Sequence, residues 1–403
     1  MALPADMCVM PVLSPNEGQI LNIIRRHGPV SRAEIARSTG LTPPTVATIT
    51  NKLIDAQLVM DNKIGESSGG RRPLLLTVNP AAGQVIIIHI RSFKMIGYVV
   101  DAAFGVHFEH TVSIRDCNQA AVLDLIQQLI DECRYRASLP PQAIGVVVRG
   151  PVRVREGISV FAPNIGWKNV PLKYIIEEKN RLPVFVENDA NILAYGEYYF
   201  GEAKDANSLV LLKVAHGIGG GIMFNGALYR GITGSAGEVG HTVIDMAGPL
   251  CSCGNNGCME AMASETALIR LVAGAIQNGQ FSIVDELVKG NLAAISPEDI
   301  YQAADDGDAL ALEMLSRVAG YLGIGIANLV NVFNPELVVI SGGLAKAKRY
   351  IEKKVWETVD RRSFESCSSV LEIRYSTRTS VITMKGSADM AFSILAAKAA
   401  EAG

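Results

Sequence analysis

The sequence predicts a helical DNA-binding head followed by a larger body of the α/β class. Three observations carry that expectation. Before Pro80, three short helix-forming stretches are separated by tight turns, and the third has one apolar and one polar face. After Pro80, apolar strand-like runs alternate with helix-like periodicity. Between Gly237 and Glu260, one histidine and three cysteines fall at a spacing that suits a metal.

In the head, Pro15–Arg26 places Ile20, Leu21, Ile23 and Ile24 on a helix-like face that ends at His27-Gly28-Pro29. Ser31 opens a second helix, with Glu34 at the capping-box position, and Thr39-Gly40 stops it. Thr42 caps a third helix that carries Pro43 and Pro44 in its first turn and runs to about Ala56. Val46, Ile49, Leu53 and Ile54 form its apolar face; Thr45, Thr48, Thr50, Asn51 and Lys52 form its polar one. This order describes a helix-turn-helix, against the plainer alternative of a small helical bundle. Short hydroxyl and amide side chains suit phosphates and base edges in a major groove. The candidate DNA contacts are Ser31, Arg32, Thr42, Thr45, Thr48, Asn51 and Lys52. Leu58-Val59 and Leu74–Leu76 read as two strands of a wing, with the tip at Gly65–Pro73. Its Arg71 and Arg72 suit phosphate or minor-groove contact, unless the tip is a plain linker.

The bulk numbers agree with this division. The 403 residues are 49% hydrophobic and 19% charged, enough for two or three domains with real cores. The net charge of −3 gives no overall nucleic-acid signature. Its polarity does: eight basic and six acidic residues lie in the first eighty, so the acidic excess sits in the body. Four of the seven cysteines, Cys8, Cys117, Cys133 and Cys367, are scattered, which suggests a reducing compartment. The first residues lack a basic segment and carry Asp6, unlike a signal peptide. The apolar run Gln84–Val100 is broken by His89, Arg91 and Lys94, unlike a membrane span. A cytoplasmic protein is expected.

In the body, Val85–Ile90, Ile96–Val100 and Val106–Val112 read as strands, followed by a helix over Ala120–Arg136 and a strand over Ile144–Val148. A helix over Lys168–Asn180 and a strand over Val184–Val186 complete the first lobe, residues 81–192. A second lobe, residues 193–385, opens with the strand Ser208–Val214, the glycine loop Gly217–Gly221 and the strand Ile222–Phe224. Helices are expected over Glu298–Leu315 and Ser316–Val332, then a strand over Leu337–Ile340. A final helix is expected over Ala388–Ala400, and the C-terminal segment 386–403 is expected to pack back on the first lobe. Both halves begin with strand meanders, a hint of duplicated architecture.

His241, Cys251, Cys253 and Cys258 are the candidate metal ligands. Three thiolates and an imidazole make a tetrahedral zinc shell with no open position, so the metal would be structural. Buried apolar cysteines or disulfides are the alternatives, but Cys251 and Cys253 are too close to pair comfortably. Acids and amides in Glu187–Asn191 follow a strand, where open α/β sheets bind ligands; a helix N-cap cluster is the plainer reading.

Taken together, the turn Pro163–Trp167, the segment Glu187–Asn191, GEVGH at Gly237–His241, CSCGNNGCME at Cys251–Glu260 and NPELVVISGG at Asn334–Gly343 resemble the ROK family of repressors and sugar kinases. The resemblance covers nearly the whole chain, and the cysteine motif with GEVGH is its most specific part. It implies an actin-like, two-lobed α/β body that binds a sugar between its lobes. With the winged helix-turn-helix head, the chain is similar to the repressor branch that includes N-acetylglucosamine and Mlc-type regulators. The resemblance implies sugar contacts at Asn188, Asp189, Glu238, His241 and Glu260, with Asn164 and Gly150 nearby. Hydroxyls of a sugar both donate and accept, so carboxylates and amides read them well. Asp189 stands where the kinases keep a general base. Partners implied are an operator duplex, a sugar or sugar-phosphate effector, and further copies of the chain in a homodimer or tetramer.

Two departures bear on activity. The kinases' first phosphate loop, Asp-x-Gly-Gly-Thr, is replaced by His89-Ile90-Arg91-Ser92-Phe93-Lys94. In the second, Ala215-His216 replaces Gly-Thr, while Gly217-Ile218-Gly219 persists. Phosphoryl transfer depends on positioning and charge neutralisation, so a regulator without catalysis is expected. The alternatives are a residual hexose kinase, or a regulator governed by a sugar-transport protein.

Overall fold

The computed structural model describes residues 13–64, 74–162 and 165–401. Cys8, the wing tip with Arg71 and Arg72, and Asn164 therefore lie outside the described residues. The head is three helices and a small sheet: α1 (Pro15–His27), β1 (Val30–Ser31), α2 (Arg32–Thr39), α3 (Pro43–Asp55), β2 (Val59–Ile64) and β3 (Leu74–Val78). Capping boxes start α1 at Ser14/Glu17 and α2 at Ser31/Glu34, and Gly40 in the left-handed region ends α2. The strands pair in the order β1-β3-β2, the wing of a winged helix. Ile20, Leu21, Ile24, Ile35, Val46, Leu53 and Leu76 fill its core.

The first lobe follows with β4 (Gln84–Ile90), β5 (Lys94–Asp101), β6 (Val106–Ser113), α4 (Gln119–Arg136) and β7 (Pro141–Val148). A three-stranded sheet comes next, from β8 (Val152–Arg153), β9 (Ile158–Ala162) and β10 (Trp167–Val170). Then come α5 (Leu172–Asn180), β11 (Val184–Asn188) and α6 (Asp189–Phe200). The main sheet has the order β11-β7-β4-β5-β6, with β4 antiparallel to β5 and parallel to β7. All seven residues of β4 are buried, as a central strand requires.

The second lobe contains β12 (Ser208–Val214), β13 (Ile218–Phe224), β14 (Ala227–Leu228), α7 (Met259–Ala263), α8 (Glu265–Gln277), α9 (Ile283–Leu287), α10 (Pro297–Asp305) and α11 (Ala309–Phe333). It continues through β15 (Leu337–Ser341), α12 (Lys348–Arg362), α13 (Glu365–Ser368) and β16 (Glu372–Ser376), after which comes α14 (Thr379–Glu401). Its sheet order is β14-β13-β12-β15-β16. α11 is long and apolar enough to cross a membrane by composition, yet Leu315, Val318, Leu322 and Ile326 are core residues of this lobe.

The chain divides into two compact units, Met1–Ile192 with Thr383–Gly403, and Leu193–Ile382. The head is part of the first unit and does not separate from the lobe that follows it. Both divisions fall inside helices, α6 and α14.

Four sequence expectations need correction. The helix expected from Lys168 begins at Leu172, because Trp167–Val170 pairs with β9 and Asn169 takes a positive φ. The expected glycine loop Gly217–Gly221 is mostly strand: Gly219, Gly220 and Gly221 pair with Lys213, Leu212 and Leu211. The two helices expected over Glu298–Val332 break instead at Gly307-Asp308, where Asp308 caps a single 25-residue α11. The last helix starts at Thr379, nine residues before the Ala388 read from periodicity.

Candidate metal centre and ligand-binding residues

The segment from Gly237 to Glu260 is folded onto the edge of β13. Gly220 donates its N–H to the Gly237 carbonyl at 3.0 Å. Gly237 has φ +95°, and a Cβ there would stand 2.4 Å from the Gly220 oxygen. The cysteine loop closes through two β-bridges, Val243 with Cys258 and Leu250 with Asn256. Gly257 at its turn has φ +66° and leaves no room for a side chain beside the Asp245 carbonyl.

This loop brings His241, Cys251, Cys253 and Cys258 together, with one ligand atom from each lying within 4.8 Å of all the others. His241 Nδ1 lies 3.6 Å from Cys251 Sγ, and Cys253 Sγ lies 3.6 Å from Cys258 Sγ. A tetrahedral zinc with thiolate and imidazole ligands has edges of roughly 3.5–3.8 Å, so donor set and spacing both fit. Cys258 is fully buried, and desolvation with its neighbouring thiols pushes it up to about 12. A bound cation would reverse that by favouring the thiolate.

The ring of His241 has a defined orientation. Nδ1 faces the sulfurs, and Nε2 lies 3.9 Å from Glu238 Oε2. Glu260, at the start of α7, is tied into the loop. Its Oε2 accepts the Ile218 N–H at 2.9 Å, and its Oε1 accepts from Ser252 Oγ at 3.3 Å. Glu260 therefore connects the metal loop to the turn before β13.

In the first unit, Asn188 ends β11 and caps α6. Its Oδ1 accepts from the N–H groups of Ala190 and Asn191, and its Nδ2 donates to the Gly150 carbonyl at 2.9 Å. Gly150 has φ +80°. Asp189 is buried in the first turn of α6. Both the ligand reading and the plainer N-cap reading describe part of this arrangement. Glu187, which the sequence offers only as part of the Glu187–Asn191 segment and not as a named ligand contact, is fully buried and accepts from the Asn188 N–H and Asn191 Nδ2. An acid one residue inside a strand end was the available signal.

In the head, Thr42, Thr48, Asn51 and Lys52 are exposed, while Thr45 and Arg32 are half-buried. Ser31 is a correction. It is buried, and its hydroxyl is committed to Glu34 in the capping box, where it serves α2 and not a groove. Thr50 is likewise fully buried and accepts from Arg32 Nε at 2.8 Å, with Arg32 also donating to Asn51 Oδ1. Arg32 thus braces α2 against α3.

A winged helix-turn-helix, joined to an α/β body with two like sheets and a cluster of one histidine with three cysteines, is the layout of a DNA-binding regulator built on a sugar-kinase-type fold. The chain belongs to the ROK family: the family model matches residues 88–392, and a model of winged helix-turn-helix DNA-binding domains matches residues 13–60. A relative from Caldicellulosiruptor bescii, named a xylose repressor, is 36% identical over 361 residues, covering 87% of this chain and 88% of its own. A solved ROK transcriptional regulator, described as a homologue of the E. coli Mlc protein, matches 96% of this chain and 98% of its own, with TM-score 0.82 and 31% identity. The ROK glucokinase of Streptomyces griseus, solved with glucose and AMPPNP, covers 77% of this chain and 99% of its own, with TM-score 0.69 and 28% identity.

Proposed function

We propose that this protein is a cytoplasmic, homo-oligomeric transcriptional repressor of carbohydrate uptake or metabolism genes, released from its operator by a sugar. The observation that carries the reading is the union of a winged helix-turn-helix head and a ROK body in one chain. Thr42, Thr45, Thr48, Asn51 and Lys52 of α3 and its cap are the proposed groove and phosphate contacts, with Arg71 and Arg72 at the wing. Asn188, Asp189, Glu238, His241 and Glu260 are the proposed sugar contacts, with Gly150 and Asn164 shaping the site. The metal is zinc, held by His241, Cys251, Cys253 and Cys258; as a full tetrahedral shell it fixes the loop and performs no chemistry. His241 then offers Nε2, and Glu238 its carboxylate, to sugar hydroxyls. The sugar releases DNA only if it favours the low-affinity state of the head.

The name of the Caldicellulosiruptor relative makes D-xylose the first sugar to test. An operator selected from random DNA should lose affinity at least tenfold with one sugar among xylose, glucose, N-acetylglucosamine and their phosphates. Failure of every sugar to change operator binding, with the protein folded, would overturn the effector reading and turn attention to a protein partner. A second reading, residual hexose phosphorylation, is favoured by the buried Asp189 at the start of α6. ATP-dependent turnover of any sugar in the same panel would establish it.

A further inference from the structure

The strongest buried ionic cluster among the described residues has no part in the sites above. Arg25 and Arg26 lie in the last turn of α1 and converge on Asp389 of α14, more than 360 positions away in sequence. Arg25 Nε donates to Asp389 Oδ1 at 2.6 Å, and Arg26 Nε donates to Oδ2 at 2.8 Å. The Arg25 side chain is 2% exposed and that of Asp389 is fully buried. Arg25 Nη2 also reaches Asn22 Oδ1, Ser393 Oγ and the Asp389 carbonyl, and its guanidinium lies over the Phe392 ring. Leu21, Leu58 and Val78 of the head, Ala82 and Ala102 of the lobe, and Phe392 line an apolar gap beside it.

Two guanidiniums and one carboxylate in an apolar setting are a costly way to attach a helix. Apolar side chains of the same volume would attach it equally well or better. What such a cluster adds is geometry, since both carboxylate oxygens have dedicated donors and a shifted α1 would strand buried charge. α1 packs against α3, and Lys52 of α3 pairs with Glu17 of α1 at 3.2 Å. The orientation of α1 therefore sets that of the helix proposed to read DNA. α14 itself begins at Thr379, whose hydroxyl meets Ser341 Oγ and the Gly342 N–H at the end of β15.

We propose that Asp389 is a positioning residue for DNA recognition: by gripping Arg25 and Arg26 it fixes the winged helix on the C-terminal helix, so that operator affinity follows the placement of α14. The proposal rests on reading the chain as a DNA-binding repressor.

The test uses the full chain and an operator selected from random DNA. Asp389→Asn keeps the shape and removes the charge. Its operator affinity should fall at least tenfold with an unchanged salt slope, because neither arginine is spent on phosphate. Amide exchange in α1 should quicken while α11 stays protected. If that variant does not fold, Arg25→Met/Arg26→Met/Asp389→Leu replaces the cluster with apolar packing. It should melt at or above the wild-type temperature, yet still bind operator at least tenfold more weakly. Wild-type operator affinity in this folded triple variant overturns the proposal, since the cluster would then be packing alone. A wild-type protein that selects no operator would sink the DNA-binding reading instead; amide exchange in α1 of Asp389→Asn and of the triple variant would then decide the clamp, unchanged protection overturning it.

Discussion

The two large sheets of the molecule have one topology and two differently furnished first turns. In each, the first strand is central, two antiparallel strands follow on one side and two parallel strands lie on the other, as β11-β7-β4-β5-β6 and β14-β13-β12-β15-β16. Between β4 and β5 the turn carries Arg91, Ser92 and Phe93; Arg149 bonds Ser92, and Arg115 lies 4.7 Å over the Phe93 ring. Between β12 and β13 the turn is Ala215-His216-Gly217, and the Glu260 carboxylate borders it. Glu260 takes the Ile218 N–H, and the backbone N–H of Glu265 donates to the Ala215 carbonyl. The first turn is filled with side chains and cationic, whereas the second keeps its glycines and is acidic. Within β13, Gly220 is glycine for a packing reason: a Cβ there would stand 2.6 Å from Val239 Cγ2 and 2.9 Å from the Gly237 oxygen.

That contrast breaks most readily at the metal. Cys258→Ser removes one ligand of the proposed zinc, so zinc content by elemental analysis should fall and stability should drop by several kcal/mol, because a structural zinc supplies folding energy directly. The damage should stay in the second unit: amide protection should collapse around α7 and β13 and hold in β4. Uniform collapse of both sheets would show that the units do not fold separately. Next in size is Gly237→Ala. A Cβ at φ +95°, 2.4 Å from the Gly220 oxygen, should cost about 2–4 kcal/mol. Gly274→Ala in α8, which meets nothing within 4 Å, should instead gain up to ~1 kcal/mol. Chemical denaturation of the pair measures both.

Much of this was legible in the sequence where the determinants are local. The four candidate metal ligands span 18 positions, and two glycines mark the loop, so spacing alone pointed to their cluster. The capping box at Ser31 and the stop at Gly40 were likewise readable from neighbours. What escaped depends on distant chain. Thr50 looks like a polar-face residue until Arg32 folds over it, and Arg25 and Arg26 are only two of the eight basic residues of the head until Asp389 arrives from the far end. Gly219–Gly221 reads as a loop because glycine weakens strands, and only the segment it packs against explains its pairing. The break before α11 was readable and missed: Gly307, at φ +82°, followed by Asp308 is a helix stop and a helix start side by side.

The first turn offers a smaller test. Ser92→Gly/Phe93→Gly restores glycine there and removes the stacking of Arg115 on Phe93, which contributes about 0.5–1 kcal/mol. Stability should drop by about that amount, and titration calorimetry with ATP and magnesium should still show no binding. Binding gained by this change would mean that side chains in the first turn were the sole obstacle, and that the acidity of the second turn is irrelevant.

The smallest expected effect concerns the carboxyl at the start of α8, the helix whose first N–H closes the second turn. Glu265 starts α8; burial raises its carboxyl above the usual range, against the hydrogen bond that Tyr301 donates to Oε1 at 3.1 Å. With the folded value above an unfolded value of about 4.3, the folded state holds a proton that the unfolded state has released. Its contribution to stability is therefore greatest below the unfolded value and declines as pH rises through the folded one. Glu265→Gln keeps the shape and removes the titration. It should match the wild type near pH 4 and be the more stable protein at pH 7, by less than about 1 kcal/mol, or no more than 2–4 °C in melting temperature for a unit of this size. An equal difference at both pH values would mean that the carboxylate is already compensated by its surroundings, with the N-terminus of α8 the candidate.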